Sequence, residues 1–430
     1  MGEQGDSLAS FGEDGYLCSV EGAMQNLFKE AAATRNNADW ENFIGREQPL
    51  YERADDIRSP FARDYTRILH SNAYRWLKHK TQVFFDIDND HVCTRMEHVA
   101  HVESVSCSIA AYMGLNDELT KAIAMGHDLG HAPFGHEGER VLNGLSQKYL
   151  GEKFWHERNG LHFVDDVELL EDNNKISRNL DLTYAVRDGI ISHCGEIDEN
   201  VLKPRTQKIQ LEREYALPNQ FSPYTWEGCV VKIADKIAYV GRDIEDAKSL
   251  GFLSKEELDK LRSIGEKYSI NAINTTVIIH DLIGDICSAS SPDTGITLSS
   301  RFSDALKEIK LFNYRYIYAN ERFNSFQKYC ALVIGELFDF FAGYYDGAQT
   351  FKRLANADRA ELAASFAEFL ARYCEADIVP ENLLAGFEGG NKKIYQRLQT
   401  RELYTRAVLD YVSGMTDRYA VNAFGMLLKF

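Results

Sequence analysis

Ten of the twelve histidines lie between His70 and His162, and the densest stretch is HDLGHAPFGHEGE, residues 127–139. Three imidazoles, one Asp and two Glu within 13 residues form the mixed nitrogen and oxygen donor set that suits Mn, Fe, Zn or Mg-assisted hydrolysis. This stretch constrains the fold because His127 and Asp128 are adjacent. Neighbouring side chains on a regular helix diverge by about 100°. Both can face one ion only where the helix stops, and Gly126 and Gly130 supply the stop. Pro133 and Gly135 then turn the chain so that His131 and His136 return over the same space.

Two more donors must come from elsewhere. From Arg95, apolar residues Met96, Val99, Val102, Val105, Ile109 and Met113 recur at threes and fours up to Gly114, which predicts a helix over 95–113 with His98 off its apolar stripe. A second helix is predicted over 226–248, where Asp235 interrupts the apolar run VVKIADKIAYV. A lone buried carboxylate is costly. Lys236 or an arginine could neutralise it, or a metal could. Asp235, Tyr239 and Asp243 fall at i, i+4 and i+8, a polar stripe along one helix face.

Elsewhere the pattern is helical too, with helices predicted near 117–126, 182–192, 255–266, 322–345 and 356–375. TTVIIHDLI (275–283) fits a strand or a buried helix, and residues 196–225, with Pro204, Pro218 and Pro223, read as a long loop. Residues 1–20 read as a flexible acidic start, and no Pro/Gly/Ser-rich linker or repeat divides the rest. The expectation is one all-α unit over 21–430, with a core at about 60–250 and further helices at about 251–430.

Composition sets the electrostatic problem. The net charge is −17, which disfavours nonspecific nucleic-acid or membrane-surface binding and repels free polyphosphate. A phosphate-ester substrate therefore requires a metal and a local basic cluster. Eight cysteines without CxxC spacing indicate buried thiols in a reducing compartment. The start lacks a signal peptide's basic and apolar regions, and no apolar run reaches the roughly 20 residues of a membrane span. A cytoplasmic protein is expected.

The order His98, His127-Asp128, Asp235 reproduces the H…HD…D signature of the HD phosphohydrolases. RDYTRILHSNAYRWLKHKTQVF (63–84), DHVCTRMEH (90–98), HDLGHAPFGHEGE (127–139), VVKIADKIAYVGRDIEDA (230–247) and DYVSGMTDRYA (410–420) resemble successive motifs of bacterial dGTP triphosphohydrolase-like proteins. They are also similar to the catalytic core of the vertebrate HD-domain dNTP hydrolase. The resemblance spans about residues 45–425 and implies an all-α HD-domain fold with additional C-terminal helices. It implies His98, His127, Asp128 and Asp235 as ligands of a divalent Mn, Mg or Fe ion, with His136 as catalytic histidine and Glu139 as its acidic partner. His131, His156, Arg95 and Lys236 would contact phosphates. Gln82, Tyr239 and Asp243 would surround the deoxyribose, reading its 3′-hydroxyl and leaving no room for a 2′-hydroxyl.

The implied activity is hydrolysis of a dNTP, dGTP foremost, to deoxynucleoside and tripolyphosphate. A homo-oligomer and a nucleotide effector are further implications. The chain departs from the family at Val92, where relatives often carry an aromatic, and at HERNG (156–160), where Glu157 is similar to the vertebrate form. Other HD activities, 5′-nucleotidase or cyclic-nucleotide phosphodiesterase, are the enzymatic alternative, and a nucleotide or single-stranded nucleic-acid-binding regulator is the non-enzymatic one. His70, His79, His91, His101, His162, His193 and His280 are expected to be structural or exposed. Asp417 and Arg418, which could simply be a structural ion pair, are left out of the expected site.

Overall fold

The computed structural model describes residues 26–50, 56–85, 91–194, 200–270 and 274–429. The expected flexible start at 1–20 lies outside them. The described residues are helical, with two small two-stranded pairings: Leu169–Glu171 with Ser177–Asn179, and Val201–Leu202 with Ile296–Thr297. The principal helices are α1 (Pro60–His70), α2 (Arg95–Met113), α3 (Asp117–Gly126), α4 (Gly135–Leu150), α5 (His156–His162), α6 (Tyr184–Ser192) and α7 (Trp226–Ser249). They continue as α8 (Lys255–Tyr268), α9 (Thr275–Ala289), α10 (Ser300–Asn313), α11 (Phe323–Ala342), α12 (Ala360–Tyr373), α13 (Arg401–Ser413) and α14 (Asp417–Leu427).

Local chemistry sets the helix ends. Thr94 and Glu97 close a capping box at the start of α2, and Gly114 ends it at φ 78°, where a side chain would be strained. The Asn116 side chain accepts the Glu118 and Leu119 N–H groups to start α3. Thr225 starts α7 by accepting the Gly228 N–H.

Helix α7 packs against α2, α3, α6 and α9 and is buried along most of its length, with Lys232, Lys236, Asp243 and Asp246 buried beside its apolar residues. Each buried Val or Ile there contributes about 1.5–3 kcal/mol relative to exposure. Helix α2 meets this core through Val99, Val102, Val105 and Ile109. A second group of helices, α4, α11, α13 and α14, packs beside it around α11.

The 275–283 segment is helical. Its buried residues Ile278, Leu282 and Ile286 recur every four positions against α7 and α2, a period visible only once the window extends past residue 283. The expected 196–225 loop also carries the Val201–Leu202 strand and a one-turn helix, Leu211–Glu214. Two helices end in π-helical turns, Phe163–Val167 after α5 and Tyr314–Tyr318 after α10. No helix among the described residues is long and apolar enough to cross a membrane.

Candidate metal centre and adjoining cavity

Helix α3 stops at Gly126, and the following turn presents His127 and Asp128 toward α2 and α7. The His127 Nδ1–H donates to the Ala124 carbonyl at 2.7 Å. That bond fixes the tautomer and leaves the Nε2 lone pair facing inward. Nε2 is buried with no hydrogen-bond partner. It faces Asp128 Oδ1 at 3.6 Å and Asp235 Oδ1 at 3.8 Å. His98 Nε2, from α2, lies 2.9 Å from Asp235 Oδ1. Donors sharing one ion at about 2.1 Å sit roughly 3 Å apart. A buried imidazole nitrogen with no partner, surrounded by two carboxylates and a second imidazole, fits a divalent cation. His98, His127 and Asp128 form one of the clusters able to hold an ion, and Asp235 adjoins it through both imidazoles.

The charges reinforce this arrangement. Burial acts to raise Asp128, but the His131 hydrogen bond and the Arg95 charge outweigh it and hold the carboxyl well below the carboxylate range. Burial likewise opposes ionisation of Asp235, yet the His98 hydrogen bond and charge pull it down to about 2. Both carboxylates are ionised and so able to face a cation. Against the ring of His127 packs His193, its centroid 4.9 Å away. Burial and the neighbouring His127 and His156 push His193 down to about 3, so it stays neutral. His193, expected to be structural, thus walls the His127 imidazole.

Arg95 is almost fully buried and pairs with Asp128 Oδ2 at 2.9 Å, while its Nε and Nη2 have no partners. His131 Nε2 lies 3.0 Å from Asp128 Oδ1. Burial and the Arg95 charge push His131 well below its usual value. His131 stacks on His156 at 3.8 Å between ring centroids. Burial acts to lower His156, but Glu157 and Glu139 push it up to about 10, so this imidazole is cationic. Glu139 sits closer to His156 Nδ1 (2.9 Å) than to His136 Nδ1 (3.8 Å), so it serves both histidines rather than His136 alone.

His136, at the exposed start of α4, faces a cavity of about 510 Å³. Gln82, Tyr239 and Asp243 line the same space. Lys236 is buried on α7 beside Asp235. The cavity's other wall comes from the C-terminal helices: Lys310, Tyr314, Tyr318, Phe323 and Phe326. The Tyr318 hydroxyl donates to Asp243 at 2.5 Å. Burial, opposed by that bond, pushes Asp243 up to about 7. Nothing in the sequence pattern linked these tyrosines to Asp243. The π-helical turn that swings Tyr318 inward has no periodic signature.

The turn itself is held by close packing and strain. A Cβ on Gly130 would lie 2.1 Å from the Gly160 nitrogen and the His156 carbonyl, so α5 can approach only a glycine. Phe134 adopts φ 66°, a left-handed conformation that costs a bulky residue about 1–2 kcal/mol. Its N–H is accepted by Asp417 Oδ1 at 2.8 Å, and the Thr81 N–H by Asp417 Oδ2 at 2.9 Å. Asp417 is therefore engaged with two backbone amides far along the chain, where sequence suggested a local ion pair with Arg418.

A family profile described as HD domain matches residues 95–240, and one described as phosphohydrolase-associated domain matches residues 386–425. Among curated proteins, the chain is similar to one from Caldanaerobacter subterraneus subsp. tengcongensis named deoxyguanosinetriphosphate triphosphohydrolase-like protein. The two are 32% identical over 372 residues, 86% of this chain and 85% of that one. Similarly named proteins of Desulfatibacillum aliphaticivorans and Wolinella succinogenes are 35% and 30% identical. They cover 71% and 87% of this chain and 79% and 97% of their own lengths.

Proposed function

Because the chain belongs to the HD-domain family of deoxyguanosinetriphosphate triphosphohydrolase-like proteins, we propose that it hydrolyses deoxynucleoside triphosphates, dGTP the leading candidate. Attack falls on the α-phosphorus and releases deoxynucleoside and tripolyphosphate. The observation that carries this reading is the meeting of a buried two-imidazole, two-carboxylate cluster with a cavity of about 510 Å³ that the exposed imidazole of His136 lines.

His98, His127, Asp128 and Asp235 would hold the divalent ion, with Mn, Mg and Fe the candidates. When bound, such an ion polarises phosphate oxygens and lowers the pKa of a bound water toward about 7.

The chain's own groups do the rest. Cationic His156 and the unpaired N–H groups of Arg95 neutralise phosphate charge, with Lys236 and His131 beside them, answering the −17 net charge locally. His136 moves a proton at the reacting oxygens as general acid or base, with Glu139 orienting it. Gln82, Tyr239 and the Asp243–Tyr318 pair close around the deoxyribose and exclude a 2′-hydroxyl. In this reading residues of about 60–250 supply the catalytic half and about 251–430 the far wall. The enzyme is cytoplasmic and homo-oligomeric, and a second nucleotide modulates it.

The test is product analysis by ion exchange after incubation with each dNTP, singly and in pairs, under Mn, Mg or Fe. Tripolyphosphate in equal amount to deoxynucleoside is the expected result. A pyrophosphate or orthophosphate product overturns attack at the α-phosphorus on the nucleoside side. Stimulation of one dNTP's turnover by another is the expected sign of the effector.

A further inference from the structure

We propose that Asp417 is a positioning residue for the reaction: a two-oxygen clamp from the C-terminal helices that sets the backbone on which His136 and Gln82 are aimed. This rests on reading the adjoining cavity as the dNTP site.

Asp417 opens α14 and is 1% exposed. Each carboxylate oxygen accepts one amide: Oδ1 that of Phe134, Oδ2 that of Thr81. These amides are 283 and 336 residues away in sequence. Phe134 lies two residues before His136, and Thr81 one before Gln82. Both of those side chains line the cavity from opposite segments, and the Gln82 Oε1 is buried without a hydrogen-bond partner. One carboxylate therefore fixes the spacing between the general acid or base and a sugar-facing amide.

Neighbouring contacts make the clamp part of a larger corner. The Lys80 ammonium donates to the His131 carbonyl and, at 3.3 Å, to the Ser413 carbonyl. Asn159 Nδ2 donates to the Gly130 carbonyl at 2.7 Å and lies 3.5 Å from Ser413 Oγ. The segment Ser413–Asp417 thus reaches both ends of the 130–134 turn. Phe134, left-handed and without a side-chain cap on α4, has its amide direction set by this carboxylate. The inference gives a task to residues that otherwise look like remote scaffolding.

The experiment compares D417N, which is isosteric but turns one acceptor into a donor facing an N–H, with D417A and with E227Q. Glu227 is a buried carboxylate of the same type away from the cavity, its Oε1 accepting the Ala33 and Asn116 N–H groups. Tm, bound Mn per chain, kcat and KM for dGTP, and amide hydrogen exchange are measured on the full chain.

Displacements of about 1 Å at reacting groups can cost roughly 10²-fold. The expected result is a kcat per folded molecule lower by about tenfold in D417N and about 10²-fold in D417A, with bound Mn unchanged and exchange at Phe134 and Thr81 accelerated. E227Q should lower Tm while leaving kcat within about twofold. The proposal is overturned if D417N keeps kcat within about twofold of the parent, if its two amides exchange as before, or if E227Q loses as much kcat. Should D417N fail to fold, D417E, which keeps both oxygens but shifts them by a methylene, is judged by the same criteria. A parent chain that turns over no dNTP refutes the substrate reading alone, and the exchange of the two amides then decides the clamp.

Discussion

At the scale of single residues, the proposed centre divides groups that would hold an ion from groups that would move protons. Asp235→Ala removes a carboxylate that lies beside both the His98 and His127 imidazoles. Bound metal and turnover should vanish together, a larger loss than the roughly 10–100-fold typical of a supporting hydrogen bond. His136→Ala should keep the metal and lower kcat by about 10²–10⁴-fold. Metal analysis beside steady-state kinetics separates the two.

His162 offers a pH test away from the ion. It bridges Asp166 at 3.0 Å and Asp410 at 2.9 Å. Burial acts to lower it, but Asp410 and Asp166 raise it to about 10. A raised folded-state value means the stabilisation is complete below the unfolded value near 6.5 and fades as pH rises through about 10. Tm should therefore fall by a few degrees between pH 7 and 10, and His162→Gln should flatten that part of the profile.

The meeting of His98, His127, Asp128 and Asp235 was legible because metal chemistry admits few residue types and a glycine-bounded HD pair has one sensible geometry. Asp417 was not, because a carboxylate beside an arginine looks identical whether it binds that arginine or an amide hundreds of residues away.

At the scale of elements, the centre depends on helices that end where they must. Helix α3 stops at Gly126 and α5 presses its backbone onto Gly130. Gly130→Ala would force α5 off the turn and carry His156 with it. The expected outcome is a lowered Tm and a kcat reduced about 10²-fold or more, checked by thermal melting and kinetics at saturating metal. Helices α2, α3 and α7 were readable from period and caps. The 275–283 segment was ambiguous because a short apolar run has no decisive period, and the answer lay in Ile286 and in the Asn274 cap. The π-helical turn at Tyr314–Tyr318 was invisible because it breaks the very repeat by which helices are read.

At the scale of the whole molecule, the two helical groups share one task. Helices α13 and α14 pack on α11 and α4, and α13 sets its own buried Tyr404 and Val408 into this contact, the Tyr404 hydroxyl donating to the carbonyl of buried Phe341 on α11. A chain ending at residue 390 uncovers this apolar surface. It should lose its cooperative thermal transition and aggregate on gel filtration. The family resemblance foretold an all-α fold, yet which surfaces close the cavity depended on tertiary packing between distant segments. That division has a consequence during synthesis. The prospective ion ligands have all left the ribosome once residue 235 has emerged, whereas Tyr318 and then Asp417 follow much later. On the proposed reading, a growing chain would gather its ion-holding side chains well before the residues that close the cavity around a nucleotide.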